Sequence, residues 1–529
     1  DRGGEQALFE TGEATVGLDL LSLFQTGELV AGRVQFVAPS VTIVRLADGR
    51  IRLLGLQERP ASEASFDLDN LPAGRVEILG ATLEYRDLKT GRGPWRLRKL
   101  DLVLERHHGA VAASGSLRLP EALGARVQFE GELRGSLDTR AGLDARVKLS
   151  TERLNLVGLA DFLPASVAQP LAGHGPALAV LELAQGRLLR VRFDLDMQDL
   201  VLQLPSRTAA PVATVDISPP YREPGSAPLS LSLVDKQIVD RPAPPLPEQA
   251  RYKRLAGSFR LRQQEDGWFF SANDVVATLA DEEAADAAEL RGRFRGHPRT
   301  TFGLQVSAAG LKLPRIWPLV LAFAPASLDR WSGLDPQGEV KSLDAEVVRE
   351  RAGAMPRFML SAELENLSAQ PTGRFPGISG ISATLSGTEQ RGAVALRAND
   401  AVFTFPRMFR APLEVDRVRS EVNWWREGQA WVLETPLFEL EDEVGHAQGS
   451  VQFRYERGGV SPVMAIDARV EQLDLSAVTK FVPVGRLQPG TIFWLERAFI
   501  GGKGHEGQVS YRGPTRQFPF DNGEGEFTA

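Results

Sequence analysis

Residues able to do chemistry are few in this sequence and lie far apart. Six histidines occur in 529 residues. His107 and His108 adjoin Gly109, His297 precedes a proline, and His174, His446 and His505 neighbour glycines, in stretches that read as turns and loops. No His-Glu-x-x-His pair is present, so a helical zinc hydrolase site has no ligand set. The absence of cysteine removes disulfides, thiolate metal sites and cysteine nucleophiles together. Neither a Walker A run nor Gly-x-Ser-x-Gly appears. Gly502, Gly504 and Gly507 have the Gly-x-Gly-x-x-Gly spacing, but a dinucleotide site needs that run between a strand and a following helix. Here the order is reversed, helical "FWLERAFI" before and strand-like "QVSYRG" after, which predicts a helix-to-strand connector. The acidic runs "DEEAADAAE" (281–289) and "EDEVGH" (441–446) occupy matching places after two tryptophan-led strands. Paired carboxylates could serve general acid–base work, while solvated acidic turns account for the same residues.

The elements around these residues follow one rhythm, alternation with period two broken by Gly, Asn and Asp. In "FMLSAELENL", Phe358, Leu360, Ala362 and Leu364 share one side and Ser361, Glu363 and Glu365 the other. In "AQGSVQFRY", Val451, Phe453 and Tyr455 oppose Gln448, Ser450, Gln452 and Arg454. "VTIVRLADGRIRLLGL" (41–56) reads as a hairpin turning at Asp48-Gly49. Composition fits a folded chain, 43% hydrophobic and 24% charged. A net charge of -7 gives no basic footprint, so nucleic acid is not expected as a partner. No run of 18 uncharged apolar residues occurs. The start at Asp1 and the stop within "EGEFTA" suggest a piece of a longer protein, whose further segments could hold an anchor.

Three stretches break the alternation: 154–173, 311–333 and 473–502. Each opens on Leu-x-Leu and continues as short, proline-interrupted helical pieces. Leu154, Leu311 and Leu473 are 157 and 162 residues apart, and Trp268 and Trp431, each leading a strand after a turn, are 163 apart. Two markers with nearly one period predict a repeat of about 160 residues. The expected division is 1–93, a starting β-segment; 94–256, a repeat with helical insert 154–173 and a loop at 205–247 holding ten prolines; 257–419, a repeat with insert 311–333; and 420–529, a shortened repeat with insert 473–502. What remains is enough chain for roughly 35 strands at the usual spacing of 8–12 residues. Open sheets beyond about ten strands curl, split or twist, which leaves tandem sandwiches, a large barrel, or a long coiled gutter with an apolar inner face. Five tyrosines are too few for the aromatic girdles of a membrane barrel.

Residues 17–56, with a Leu-Ser-Leu segment, a Pro-led hydrophobic strand and an Asp-Gly turn, resemble the N-terminal signature of the AsmA-like family. Residues 375–425 are similar to its YhdP branch, through the Phe-Pro-Gly entry at 375–377, turns at Gly387 and Gly392, and the Phe405-Pro406 exit. "FWLERAFIGGKGHEGQVSYRG" adds to the likeness. The resemblance implies a mainly-β fold: a long, twisted, curved antiparallel sheet forming an open apolar groove, with short helical inserts once per repeat. It further implies a periplasmic protein of Gram-negative bacteria, anchored in the inner membrane by a helix absent from this chain, that carries phospholipid towards the outer membrane. Its partners would be phospholipids and the inner and outer membranes, or proteins at them.

On this reading there is no catalytic residue, cofactor or metal. The working side chains are apolar and line the groove: Val41, Ile43, Ile51, Leu53, Leu360, Leu364, Ile381, Leu385, Leu396, Phe403, Phe405, Val451 and Phe453. The alternative from another class is a structural or adhesive rod of tandem β-sandwich domains, in which those residues pack against one another.

Overall fold

The computed structural model describes residues 13–19, 30–47, 51–54, 74–88, 92–107, 109–135, 143–163, 168–206, 212–218, 235–241, 247–265, 267–296, 301–323, 331–373, 375–456, 458, 461–485, 487, 489–498, 501–517, 520 and 523–528. The fold is mainly β and divides into two units, Asp1–Gln203 with Arg251–Ala287 and Leu204–Ala250 with Ala288–Ala529.

In the first unit the alternating stretches form β1 (Glu13–Asp19), β2 (Val30–Val37), β3 (Ser40–Arg45), β4 (Ile51–Leu54), β5 (Arg75–Asp87), β6 (Arg92–His107), β7 (Ala110–Arg118), β8 (Arg126–Arg134), β9 (Asp144–Asn155), β10 (Gln169–Ala184) and β11 (Arg187–Gln203). Within the proline-rich stretch, β12 (Val212–Ser218) and β13 (Asp235–Arg241) pair only with each other among the described residues. Prolines exclude longer ladders there. The first unit resumes with β14 (Gln249–Gln264) and β15 (Gly267–Leu279), with Trp268 leading the latter. From β5 to β11 each strand pairs antiparallel with the next, as do β14 and β15. The 41–56 hairpin is present as β3 and β4, with Ile43 opposite Leu53 and Arg45 opposite Ile51; its turn residues 48–50 lie outside the described residues. One departure from an all-antiparallel sheet appears here, because β2 and β3 both run parallel to β5. They are successive segments of one path along β5. Ala38 (φ 51°) and Pro39 join them, with Ala38 N–H donating to Leu79 O at 2.7 Å and Thr82 N–H to Pro39 O at 2.9 Å.

The second unit holds β16 (Ala288–Gly296), β17 (Phe302–Lys312), α1 (Leu313–Phe323), β18 (Gln337–Arg349), β19 (Arg357–Ala369), β20 (Gly377–Thr388), β21 (Arg391–Thr404), β22 (Leu413–Glu427), β23 (Ala430–Asp442), β24 (Gly445–Glu456), β25 (Val463–Glu471), β26 (Leu473–Asp474), α2 (Pro489–Ala498), β27 (Lys503–Gly504), β28 (Gly507–Pro514) and β29 (Glu526–Thr528). Strands β16 to β25 pair in chain order, all antiparallel, followed by β28 and β29. The small β26–β27 pair stands apart. Among the described residues no ladder closes the sheet.

The predicted inserts are helical over only part of their length. In 154–173 the helical piece is a 3-10 turn, Leu156–Phe162, and β10 begins at Gln169. In 311–333 it is α1, eleven residues long with Pro318 inside it, where the missing N–H weakens continuation. In 473–502 a 3-10 turn, Leu475–Phe481, precedes α2, which starts on Pro489, a residue pre-set for a helix start. In the second unit these inserts sit at the strand ends opposite most of the hairpin turns, and the two-residue turn at Glu443-Val444 lies beside them. One rim therefore carries the turns at 350–356, 389–390 and 428–429, and the other carries the inserts. The insert rim is packed: Leu321 and Ala322 of α1 are buried, and Val482, Val484 and Ile492 form a cluster with Leu487 and Leu495. Gly485 N–H donates to Met408 O at 2.9 Å, tying this cluster to the segment after β21.

Candidate binding face

Cross-strand register in the second unit aligns apolar residue with apolar residue, so that one face of the sheet is hydrocarbon. Val306 stands opposite Ala345, Ala345 opposite Leu360, and Leu360 opposite Gly387. The line continues through Gly392, Trp424, Leu433, Phe453 and Met464. A second line passes through Val340, Leu364, Ala383, Leu396, Ser420, Phe438, Gly449 and Ala468, with Ser420 its one hydroxyl. Gly387 and Gly392 lie under the indole of Trp424, where a Cβ on either would collide with the ring. The indole N–H donates to Thr388 O at 3.1 Å, which holds the ring down.

The reverse face is polar and ion-paired. Arg417 meets Glu441 at 2.6 Å, Arg419 meets Glu439 at 3.2 Å, and Lys341 meets Glu365 at 2.8 Å. Hydrogen bonds from Glu365 and then Glu339 raise the Lys341 pKa above the usual lysine value. Ser307 Oγ donates to Asp344 at 2.6 Å and Ser510 Oγ to Asp467 at 2.9 Å. This face satisfies its polar groups internally and meets water, so the sheet is amphipathic across its thickness.

Burial separates two zones of the apolar face. Leu360, Leu364, Leu385, Leu396, Val451 and Phe453 are half-buried, and Leu433 is 40% exposed. A leucine facing a second packed layer would be nearly inaccessible. Near the insert rim, by contrast, Ile381, Ala398, Ala401, Val415 and Val418 form a buried cluster, with Ile378, Leu396, Phe403 and Leu440 against it. Phe405 follows, its ring 6.4 Å from Phe403 and 6.0 Å from Phe409. Both zones lie on one face because of a bulge. Asp400 adopts φ 57°, and the extra residue puts Ala398, Ala401 and Phe403 on the same side despite their odd spacing.

The candidate residues of the first unit gather separately. Val41 pairs with Leu83 and Ile43 with Tyr85, and Tyr85 stacks on Trp95 at 5.6 Å. Ile51 and Leu53 share this register through β4; their side chains lie outside the described residues. Residues absent from the sequence-derived set include Val394, Val422, Trp424, Leu433 and Ile466, all in the apolar register. Their signal was the alternation already used for their neighbours.

Among the described residues no group of His, Asp and Glu is placed to hold a metal. His174 and His446 are strand residues, not loop residues, and His446 Nδ1 lies 3.8 Å from the Glu471 carboxylate on the polar face. Gly502 and Gly504 link α2 to β28. Among the described residues no helix is long and apolar enough to cross a membrane.

These features define a class: an unclosed antiparallel sheet with one hydrocarbon face, one ion-paired face and helical pieces along a rim. The family described as YhdP protein matches residues 230–529, more than half of the chain, and the chain belongs to that AsmA-like family. The intermembrane phospholipid transporter YhdP of Escherichia coli (strain K12) is 25% identical over 280 residues, which cover 50% of this chain and 22% of that relative. The chain thus spans about a fifth of the relative's length. No solved structure matches it.

Proposed function

We propose that the chain is a segment of a non-enzymatic conduit that carries phospholipid across the periplasm between inner and outer membranes, with acyl chains lying on the apolar face. The observation that carries this reading is the continuous cross-strand apolar register whose long side chains stay half-exposed. Two acyl chains of about 30 methylenes exposed to water cost about 0.8 kcal/mol each, about 25 kcal/mol in all. A hydrocarbon strip laid strand by strand removes most of that barrier at every point along the way. The ladders satisfy the backbone, so no stranded polar group interrupts the strip. Many similar positions also suit transport better than one deep site, which would trap the lipid. The relative's name, an intermembrane phospholipid transporter, supports the cargo class. A rod of packed sandwiches would bury these leucines, and their exposure argues against it.

The test is mass spectrometry of lipid extracted from the purified chain, beside the Leu364→Asp and Leu385→Asp variants. Phospholipid on the parent chain, and a small local deficit on the folded variants, is the expected result. A lipid-free parent chain would refute the conduit.

A further inference from the structure

The two rims of the second unit differ in chemistry. On the insert rim the apolar face ends in packed hydrocarbon, the Ile381–Ala398–Val418 cluster with the Phe403–Phe405–Phe409 rings beyond it. On the hairpin rim the same face ends in aromatic and cationic side chains. Val347 is opposite the 37%-exposed Phe358, Arg426 is opposite Trp431, and Trp431 is opposite the 43%-exposed Tyr455. Arg349 pairs with Phe302, its guanidinium carbon 5.2 Å from the ring centroid. Both arginines are on the apolar side by register, at its margin. Arg426 Nε donates to Gly428 O at 2.9 Å, which ties the guanidinium to the turn between β22 and β23. Along the same rim Glu427 pairs with Arg454, Glu350 pairs with Arg357 at 2.7 Å, and Glu389 accepts from the Phe358 N–H at 3.0 Å.

Rings with one polar edge settle where hydrocarbon meets water, and a guanidinium is the side-chain group best matched to a phosphate. The distance between the rims fits one acyl chain. From Gly392 to Ala398 the strand runs about 20 Å at about 3.3 Å per residue, against about 15 Å for one leaflet's share of a bilayer core about 30 Å thick.

We infer that phospholipid lies on this face in one orientation, its phosphate at the hairpin rim beside Arg349 and Arg426 and its chain ends at the Ile381–Ala398–Val418 cluster. This rests on the conduit reading and adds direction to it. The arginines are four strands apart, about 19 Å at about 4.8 Å per strand, so they are two successive stations and not one site.

Two phosphatidylcholines, one with a photoreactive diazirine in the headgroup and one with it at the chain end, are loaded onto the full chain, and the cross-links are mapped by mass spectrometry. Headgroup label on Phe358, Trp431 and Tyr455, with chain-end label on Leu396, Val418 and Leu440, is the expected result. The reverse pattern, or headgroup label on both rims alike, overturns the orientation while leaving the conduit reading intact. No label from either probe overturns both. In the Arg349→Gln/Arg426→Gln variant, headgroup cross-linking of phosphatidylcholine at Phe358, Trp431 and Tyr455 falls about fivefold, while diacylglycerol, which has the same chains and no phosphate, is retained as before. Equal loss of the two lipids, or displacement of bound lipid by excess inorganic phosphate alone, would show a packing defect or a general anion site and overturn the assignment.

Discussion

Ile381 and Leu385 are four residues apart on one strand and face the same way, yet their surroundings differ. Ile381 is 6% exposed within a packed cluster, and Leu385 is half-buried on the open strip. Truncation separates the roles. Ile381→Ala is expected to cost about 2–4 kcal/mol through lost transfer energy and a cavity, and Leu385→Ala about 1 kcal/mol or less, read from urea midpoints. Ion pairs, by contrast, act locally, as one in the first unit shows. Arg254 grips Asp196 with two bonds of 2.7 and 2.9 Å, joining β14 to β11 on either side of the proline-rich stretch. That hydrogen bond holds the Asp196 pKa below the ordinary 3.8. A lowered carboxylate value stabilises the fold above the unfolded pKa, and the contribution disappears as pH falls through the folded value. With both side chains partly exposed, the pair contributes at most about 1 kcal/mol. The urea midpoint of Asp196→Asn should therefore lie below the parent's at pH 7 and converge with it as the pH is lowered below 3.8.

Strands set which residues share a face, and bulges reset the count. Lys99, Asp199, Asp274, Asn366 and Asp400 all have φ between 48° and 57°, at places where the ladder register slips, and Gly80 and Gly380 do the same at 65° and 76°. Leu396 and Phe403, chosen from sequence for one lining, are an odd seven residues apart. Regular alternation would put them on opposite faces, and only the Asp400 bulge brings them together. The sequence carries a trace of it in Asn399-Asp400, a pair tolerant of left-handed backbone inside an apolar run. The parallel run of β2 and β3 along β5 had no such trace, because alternation records faces and not direction. Gly380 tests the bulge itself. A Cβ there would meet Asp400 O at 3.0 Å with φ held at 76°, so Gly380→Val should destabilise by about 1–2 kcal/mol from backbone conformation alone. The Ile381 cluster should loosen with it, read as faster hydrogen exchange at Ala398 and Ala401.

At the scale of the molecule, a conduit differs from a binding pocket in how defects combine. Retention sums over many positions in parallel, so one polar substitution removes only its own share. Transfer runs through the positions in series, so the highest local barrier governs the rate. Leu385 lies in the middle of the second unit's strip, with Ala362 and Val394 beside it in register. An aspartate there wets about one strand spacing, about 4.8 Å. A passing lipid then exposes about four methylenes, about 3 kcal/mol, which slows passage about a hundredfold. Full-length protein carrying Leu385→Asp is therefore expected to keep most of its co-purifying phospholipid while losing nearly all transfer of labelled phospholipid between donor and acceptor membranes. The same substitution on the reverse face, at Thr384, should change neither quantity. Retention and transfer that fall in the same proportion would mean that lipid sits in a single site near Leu385, and the series argument would be wrong.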